Sequence, residues 1–300
     1  MTLVPACSSD VADALNEGRP VVALESTIFS VLGLPAPHNA HALEQCLGAI
    51  RARGAVPALT CVLDGVARVG VDPDEHERIL GGDAKVAERD LGVAIGSRLT
   101  VGVTTVSASL ALAHATAIEV FTTGGIGGVH RGVEHTGDIS ADLGALAVHP
   151  VVCVSAGAKA FLDLARTLEE LERLGVPVVG FRTDHFPAFY SRSSGISLPH
   201  RVDDAATVAA VFRARARSAM GLLVANPIPE ESEVPAAELD VAIRAAVESA
   251  AHTGLTGAAL TPFVLARISE AMSGRNIPAN LALAAANAAL AADIAAALVE

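Results

Sequence analysis

The stretch "PVVCVSAGAKAFLDLARTLEELERLGVPVVGF", residues 150–181, decides the fold class. A β-branched apolar run (150–155) gives way to a small-residue turn, and apolar residues three and four apart then mark a helix over 159–174. Gly175 stops that helix as a C′ glycine, and a second β-branched run follows at 176–181. Strand, helix and strand in so short a span make a crossover unit that joins parallel strands.

The same alternation recurs along the chain. Strand patterns stand at "PVVALE" (20–25), "VPALTCVL" (56–63), "AIEVFTT" (117–123) and "GLLVAN" (221–226), with helical patterns at 37–53, 106–115, 141–148, 204–219 and 234–250. This predicts an α/β protein with a largely parallel sheet covered on both faces. No Ser/Gly-rich linker, low-complexity tract or repeat divides the 300 residues, so a single domain, 1–300, is expected.

Composition narrows the functions. The net charge is −12 and no cluster of Lys and Arg occurs, which argues against a nucleic-acid partner but leaves room for a small anion met by a few local donors. Cys7, Cys46, Cys61 and Cys153 are scattered without a CxxC pair or zinc spacing, and read as free thiols. The opening "MTLVPACSSD" lacks the basic and apolar regions of a leader. Asn280, Asn287 and Asp293 interrupt the apolar C-terminal segment 280–300, so it reads as a buried or interface helix and not a membrane span. A cytoplasmic protein is the expectation.

In open α/β sheets ligands bind beyond the carboxyl ends of the strands, and polar residues gather there. "VVALE" ends in Glu25, "EVFTT" runs into "GGIGGVHRG", "VVCVS" runs into "AGAK" and "LLVAN" into "PIPEE". Of the 21 basic residues only Lys85 and Lys159 are lysine. A chain so biased to arginine keeps lysine where an amine must shed its proton and attack. At the start of a helix, among Ala158, Ala160 and Phe161, Lys159 would have its ammonium disfavoured by the helix dipole and by desolvation. The alternative is a surface lysine at the wrong helix end for a cation. Lys85, in "GGDAKVAERDL", suits a phosphate or carboxylate contact, although a solvated lysine explains it equally.

"FTTGGIGGVHRG" (121–132) reads as a backbone nest converging on an anion, with His130 and Arg131 as added donors, or else as a tight loop. It lacks the third glycine of a dinucleotide fingerprint and the lysine of a Walker motif. In "TGDISADL" (136–143), Ser140 is placed to cap a helix from Ala141 and Asp142 sits in its first turn. Asp138, outside any cap, suits a lone carboxylate on Mg²⁺ or Mn²⁺. Glu25, at the end of an otherwise apolar strand, is either a proton donor with a raised pKa or a carboxylate tied to backbone N–H groups.

These residues lie in a longer series of motifs: "ALESTIFS", "GLPAPHN", "KVAERDL", "TTVSASLALAH", "FTTGGIGGVHRG", "DISADL", "AGAKAFLDLARTLEELE", "FPAFYSRSSG", "NPIPEE", "TPFVLARISEAMSG" and "ANLALAAANAALAADIA". In that order, from about Val21 to the C-terminus, the chain resembles the pseudouridine-5′-phosphate glycosidase family, which includes the indigoidine synthase A-like proteins. The resemblance implies a three-layer α/β/α sandwich with a mixed, largely parallel sheet, a homotrimer, and Mn²⁺ or another divalent cation such as Mg²⁺. It implies reversible cleavage of pseudouridine 5′-phosphate to uracil and ribose 5-phosphate. By motif position, Lys159 would be the covalent nucleophile, Glu25 the proton donor and Asp138 the metal ligand. Lys85, Val106 and the Ser140, Ala141 and Asp142 segment would bind substrate, and Thr123, His130 and Asn280 would contact phosphate or base. Ser30-Val31-Leu32-Gly33 departs from the serine, histidine, glycine order usual there. A Schiff-base aldolase or lyase acting on a sugar phosphate would use the same amine, acid and anion site, and a non-catalytic phosphosugar-binding protein would use them only for affinity.

Overall fold

The computed structural model describes residues 3–253 and 260–300; Met1 and Thr2 of the stretch read for a leader lie outside them. Among the described residues eleven strands form one sheet. In chain order they are β1 (Ala6–Cys7), β2 (Val21–Leu24), β3 (Val56–Leu63), β4 (Val66–Val69), β5 (Lys85–Val86), β6 (Val101–Thr104), β7 (Val120–Thr122), β8 (Val152–Ser155), β9 (Val178–Phe181), β10 (Arg201–Val202) and β11 (Leu222–Ala225).

The order β3-β2-β7-β8-β11-β9-β10 is parallel throughout. Its central strands β2, β7, β8 and β11 are buried at every residue, as strands covered on both faces must be. That is why they were legible as unbroken apolar runs. The first half of β3 pairs with β2, while its second half runs antiparallel to β4 and β6, and β5 adds to β6. The sheet is therefore mixed and largely parallel, as expected.

The helix Asn276–Val299 packs against β2, β7 and β8 together with the helices His38–Arg51 and Ala205–Arg213. Val106–Ala115 packs against β2, β3 and β7 and is followed outward by Ala141–Val148 and Leu164–Leu174. The result is helices, sheet, helices. Asn276–Val299 is long and apolar enough to cross a membrane, but Leu283, Ala288, Ala291 and Ile294 are fully enclosed, so it serves as a core helix.

Two helix boundaries correct the sequence reading. The helix expected over 159–174 begins only at Leu164, where the Asp163 carboxylate accepts from Arg166 N at 3.1 Å and caps it. Lys159 therefore precedes the first turn and does not sit on the helix end. The helix expected to reach 219 stops at Arg213. The other four hold within three residues, and Gly175 does end its helix in the left-handed conformation, with φ 78°.

Candidate active site

Beyond β7 and β8 the two chains keep company after regular pairing stops. Thr123 N donates to Val154 O, Ala156 N to Gly124 O, Ile126 N to Gly157 O and Lys159 N to Ile126 O, each at 2.9–3.1 Å. The glycine-rich loop and the AGAK loop thus form one folded rim over the carboxyl ends of the parallel strands. β2 ends beside them in Glu25, and Lys85 on β5 and the start of the Ala141–Val148 helix complete a cavity.

The eleven residues given roles by the family resemblance all line this cavity: Glu25, Lys85, Val106, Thr123, His130, Asp138, Ser140, Ala141, Asp142, Lys159 and Asn280. Arg131, expected as a further donor, is exposed and outside its lining. The two lysines of the chain therefore meet in one place. Lys159 is half-buried and its Nζ donates to Gly125 O at 3.0 Å. Burial pushes the Lys85 amine below the usual lysine range, and the nearby Lys159 adds to that.

Glu25 is 6% exposed, and Thr123 Oγ1 donates to its Oε1. Burial raises its carboxyl above the ordinary glutamate value, against the opposing pull of Lys159 and of the Thr123 hydrogen bond. The hydroxyl occupies one carboxyl oxygen. No backbone N–H among the described residues donates to this carboxyl, so the alternative of a carboxylate tied to backbone N–H groups is not what the structure shows.

Five N–H groups of the glycine-rich run are committed within the protein. Thr123 N and Ile126 N are taken by the AGAK strand, Val129 N donates to Thr167 Oγ1 at 3.0 Å and His130 N to Asp138 O at 3.1 Å. Gly127 N donates at 2.8 Å to Asp142 Oδ2. The carboxylate this loop holds is the protein's own. Asp142 Oδ1 also accepts from Ser107 N at 3.0 Å, so one buried side chain ties the glycine loop to the start of the Val106–Ala115 helix. Gly127 has to be glycine there, since a Cβ would lie 2.2 Å from Ser140 Oγ. Ser140 caps its helix as expected, accepting from Asp142 N at 3.2 Å.

Asp142→Ala leaves two buried N–H groups unpaired at about 1–3 kcal/mol each, so denaturant unfolding should show a loss of about 2–6 kcal/mol. A variant within half of the lower bound would contradict this bridging role.

Asp138 is the residue that best suits a cation. Its Oδ2 is buried with no hydrogen-bond partner, and His130 Nδ1 stands 3.9 Å away, too far for one. Burial lowers the His130 pKa, which favours a neutral ring. Among the described residues no three His, Cys, Asp or Glu side chains form a metal cluster. An orphaned carboxylate oxygen on a residue of the cavity wall fits a hard divalent ion that draws its remaining ligands from water and substrate. Asn280 Oδ1 is likewise buried and unpaired at the cavity wall, an acceptor awaiting a donor.

Sequence reasoning missed Ser107, Ile28, Phe189 and Leu265, which also line the cavity. Phe189 has a positive φ of 63° and its ring lies where a Cβ on Gly125 would be, at 2.5 Å. The Gly124-Gly125 pair was the signal for such a close approach. In the departing segment, Leu32 and Gly33 reach the cavity mouth while Val31 is exposed.

A family model described as indigoidine synthase A like protein matches residues 10–297, an earlier start than the motifs alone indicated. Pseudouridine-5′-phosphate glycosidases of Methylobacterium nodulans and Paracoccus denitrificans are 50% and 48% identical, over 96% and 98% of this chain and 86% and 98% of theirs. The crystal structure of the prealnumycin C-glycosynthase AlnA in complex with ribulose 5-phosphate superimposes with a TM-score of 0.90 at 35% identity, over 99% of this chain and 97% of that one. An indigoidine synthase A-like protein of Thermotoga maritima gives 0.89 at 33%, over 100% and 98%. With a matched model spanning nearly its whole length and relatives near half-identical over the same span, the chain belongs to the family of indigoidine synthase A like proteins.

Proposed function

We propose that this chain is a pseudouridine-5′-phosphate glycosidase, cleaving the C–C bond between ribose and uracil reversibly through an iminium on Lys159. The observation that carries it is the pairing, across one cavity, of an amine held at Gly125 O with a buried acid whose second oxygen is free. Relatives of that name share about half the sequence, and the superimposed C-glycosynthase is described with a sugar phosphate bound.

The substrate explains why an amine is needed. Ribose C1′ is bonded to uracil C5, so simple departure of the base would leave a poor carbanion. Electron push from the uracil ring nitrogen expels the ring oxygen from C1′, which takes a proton and opens the sugar. The Lys159 amine then adds to C1′, returning the displaced electron pair to the uracil ring, and the nitrogen gives up a proton to water, which restores its lone pair. Glu25 delivers a proton to uracil C5, the C1′–C5 pair passes to that carbon, and the lysine nitrogen lone pair forms the C=N bond. Water hydrolyses the iminium to free ribose 5-phosphate and the amine. Guanidinium could not replace the amine, because it is always protonated and has no free lone pair.

Lys85, Ser140 and the Ala141 and Asp142 segment bind and orient the substrate in this scheme, with Val106 on the apolar wall. Asn280, Thr123 and His130 contact the base or the phosphate. Asp138 would hold Mn²⁺ or Mg²⁺, which would supply positive charge to the site. The family resemblance supports a homotrimer, and the four unpaired thiols support a cytoplasmic setting.

Incubating the purified protein with pseudouridine 5′-phosphate and Mn²⁺ should release uracil, and uracil with ribose 5-phosphate should give the nucleotide back. No reaction in either direction would overturn the assignment. Lys85→Met should raise KM about tenfold or more with a smaller effect on kcat, the pattern of lost ground-state binding.

A further inference from the structure

The Thr123-Gly124-Gly125 turn touches both reacting groups. Thr123 Oγ1 donates to Glu25, and two residues later Gly125 O accepts from Lys159 Nζ. Two glycines in succession have the widest backbone freedom of any pair, so something must hold this turn. Besides the main chain after β8, its holder is the side chain of Asn287, with no exposure at all, in the middle of the Asn276–Val299 helix.

Asn287 Nδ2 donates to Thr123 O at 2.9 Å and to Gly124 O at 3.3 Å, and its Oδ1 accepts from Asn226 Nδ2 at 2.9 Å. Only this amide orientation satisfies both sides, because a carbonyl oxygen turned toward two other carbonyls would repel them. Asn226, just past β11, is itself anchored by its N–H to Ser155 O at 2.8 Å. An unbroken hydrogen-bonded path therefore runs from the end of β8 through Asn226 and Asn287 to the turn between acid and amine. No substrate-facing task is assigned to Asn287, which does not line the cavity. An alanine-rich helix would pack this position with alanine at no polar cost, so a fully buried amide here answers a polar demand.

We propose that Asn287 is a positioning residue for the reaction: by clamping the main-chain carbonyls of Thr123 and Gly124 it fixes the Glu25 carboxyl relative to the Lys159 amine. This rests on the covalent mechanism above. Releasing the clamp lets the Thr123 hydroxyl drift from Glu25, and a misplacement of about 1 Å costs on the order of 100-fold in rate. Of the proposed substrate contacts only Thr123 lies on this turn, while Lys85, His130, Ser140, Asp142 and Asn280 come from other segments, so binding is left nearly intact. Since the Thr123 hydrogen bond opposes the upward shift of the Glu25 carboxyl, its loss moves that group further up. The acid must be protonated to act, so the alkaline limb of kcat moves to higher pH.

The test compares parent, Asn287→Ala, Asn226→Ala and Thr123→Val, with melting curves, kcat, KM and pH profiles on pseudouridine 5′-phosphate. Asn287→Ala should lose about 100-fold in kcat with KM within about threefold. Its alkaline limb should move up in the same direction as that of Thr123→Val, and Asn226→Ala should move likewise by less. A folded Asn287→Ala with a lower melting temperature but an unmoved kcat and limb would overturn the clamp and leave a packing role. Where Asn287→Ala does not fold, Asn226→Ala decides by the same criterion. A parent that turns over without a borohydride-trapped adduct on Lys159 would overturn the covalent mechanism and this inference together, whereas a trapped parent with unmoved variants strikes the clamp alone.

Discussion

Lys159→Arg should abolish turnover, by at least about 10⁴-fold in kcat, while leaving the fold intact. The arginine can still donate to Gly125 O, the hydrogen-bond partner of Lys159 Nζ. It lies in a cavity wall and not in the packed core, and the half-buried side chain leaves room for a longer head. What it cannot supply is a nitrogen lone pair for C1′. The melting temperature should stay within about 2 °C of the parent. A variant with a tenth or more of parental activity would remove Lys159 from the bond-making role.

Glu25→Gln should lower kcat by roughly 10²–10⁴-fold, the range for a lost positioned acid. Glutamine matches the shape and can still accept from Thr123 Oγ1, so the loss falls on the proton and not on the architecture. In the parent, burial raises the carboxyl, and the acid form is the active one. Activity should therefore fall as pH rises through the raised value, and the variant's residual rate should lack that limb.

Stability falls in the same direction. A carboxyl whose folded pKa lies above its unfolded one binds its proton more tightly in the native state. The parent is thus destabilised progressively as pH climbs from the ordinary glutamate value, 4.5, through the raised folded value. Glutamine carries no such charge. Its melting temperature relative to the parent should rise across that window, level off above it, and show no advantage below pH 4. A difference that stays flat with pH would mean that the burial of Glu25 is not what shifts it.

The parallel centre of the sheet was legible because strands enclosed on both faces are written as continuous β-branched runs, as in β2, β8 and β11. The peripheral strands were not. A strand of two residues such as β5 has no period to detect, yet it presents Lys85 to the cavity. The helix after β8 was started five residues early because Ala158, Phe161 and Leu162 are buried under the same core that the helix serves. Apolar spacing alone cannot separate a packed loop from a first turn, although Asp163, the cap, was in view.

The site was legible through rarity and position. Two lysines in a chain of arginines, and polar residues that follow β2, β7 and β8, arrived in one cavity, while Asn226 after β11 lies outside its lining. Partnership was harder to read. The glycine run carried no mark that its N–H groups were already committed, Gly127 to Asp142 and Val129 to Thr167, because both partners come from other parts of the chain. Asn280 and Asn287, seven residues apart and so on one helical face, did carry a sign. They read as interruptions of an apolar helix, when one faces the cavity and the other grips the turn behind it.

The covalent link itself is the most direct object to measure. The parent enzyme, quenched during turnover of pseudouridine 5′-phosphate with borohydride and digested, should give a peptide bearing a reduced ribose phosphate on Lys159, absent from Lys159→Arg and from samples without substrate. An enzyme that releases uracil at full rate yet never yields that modified peptide would contradict the account.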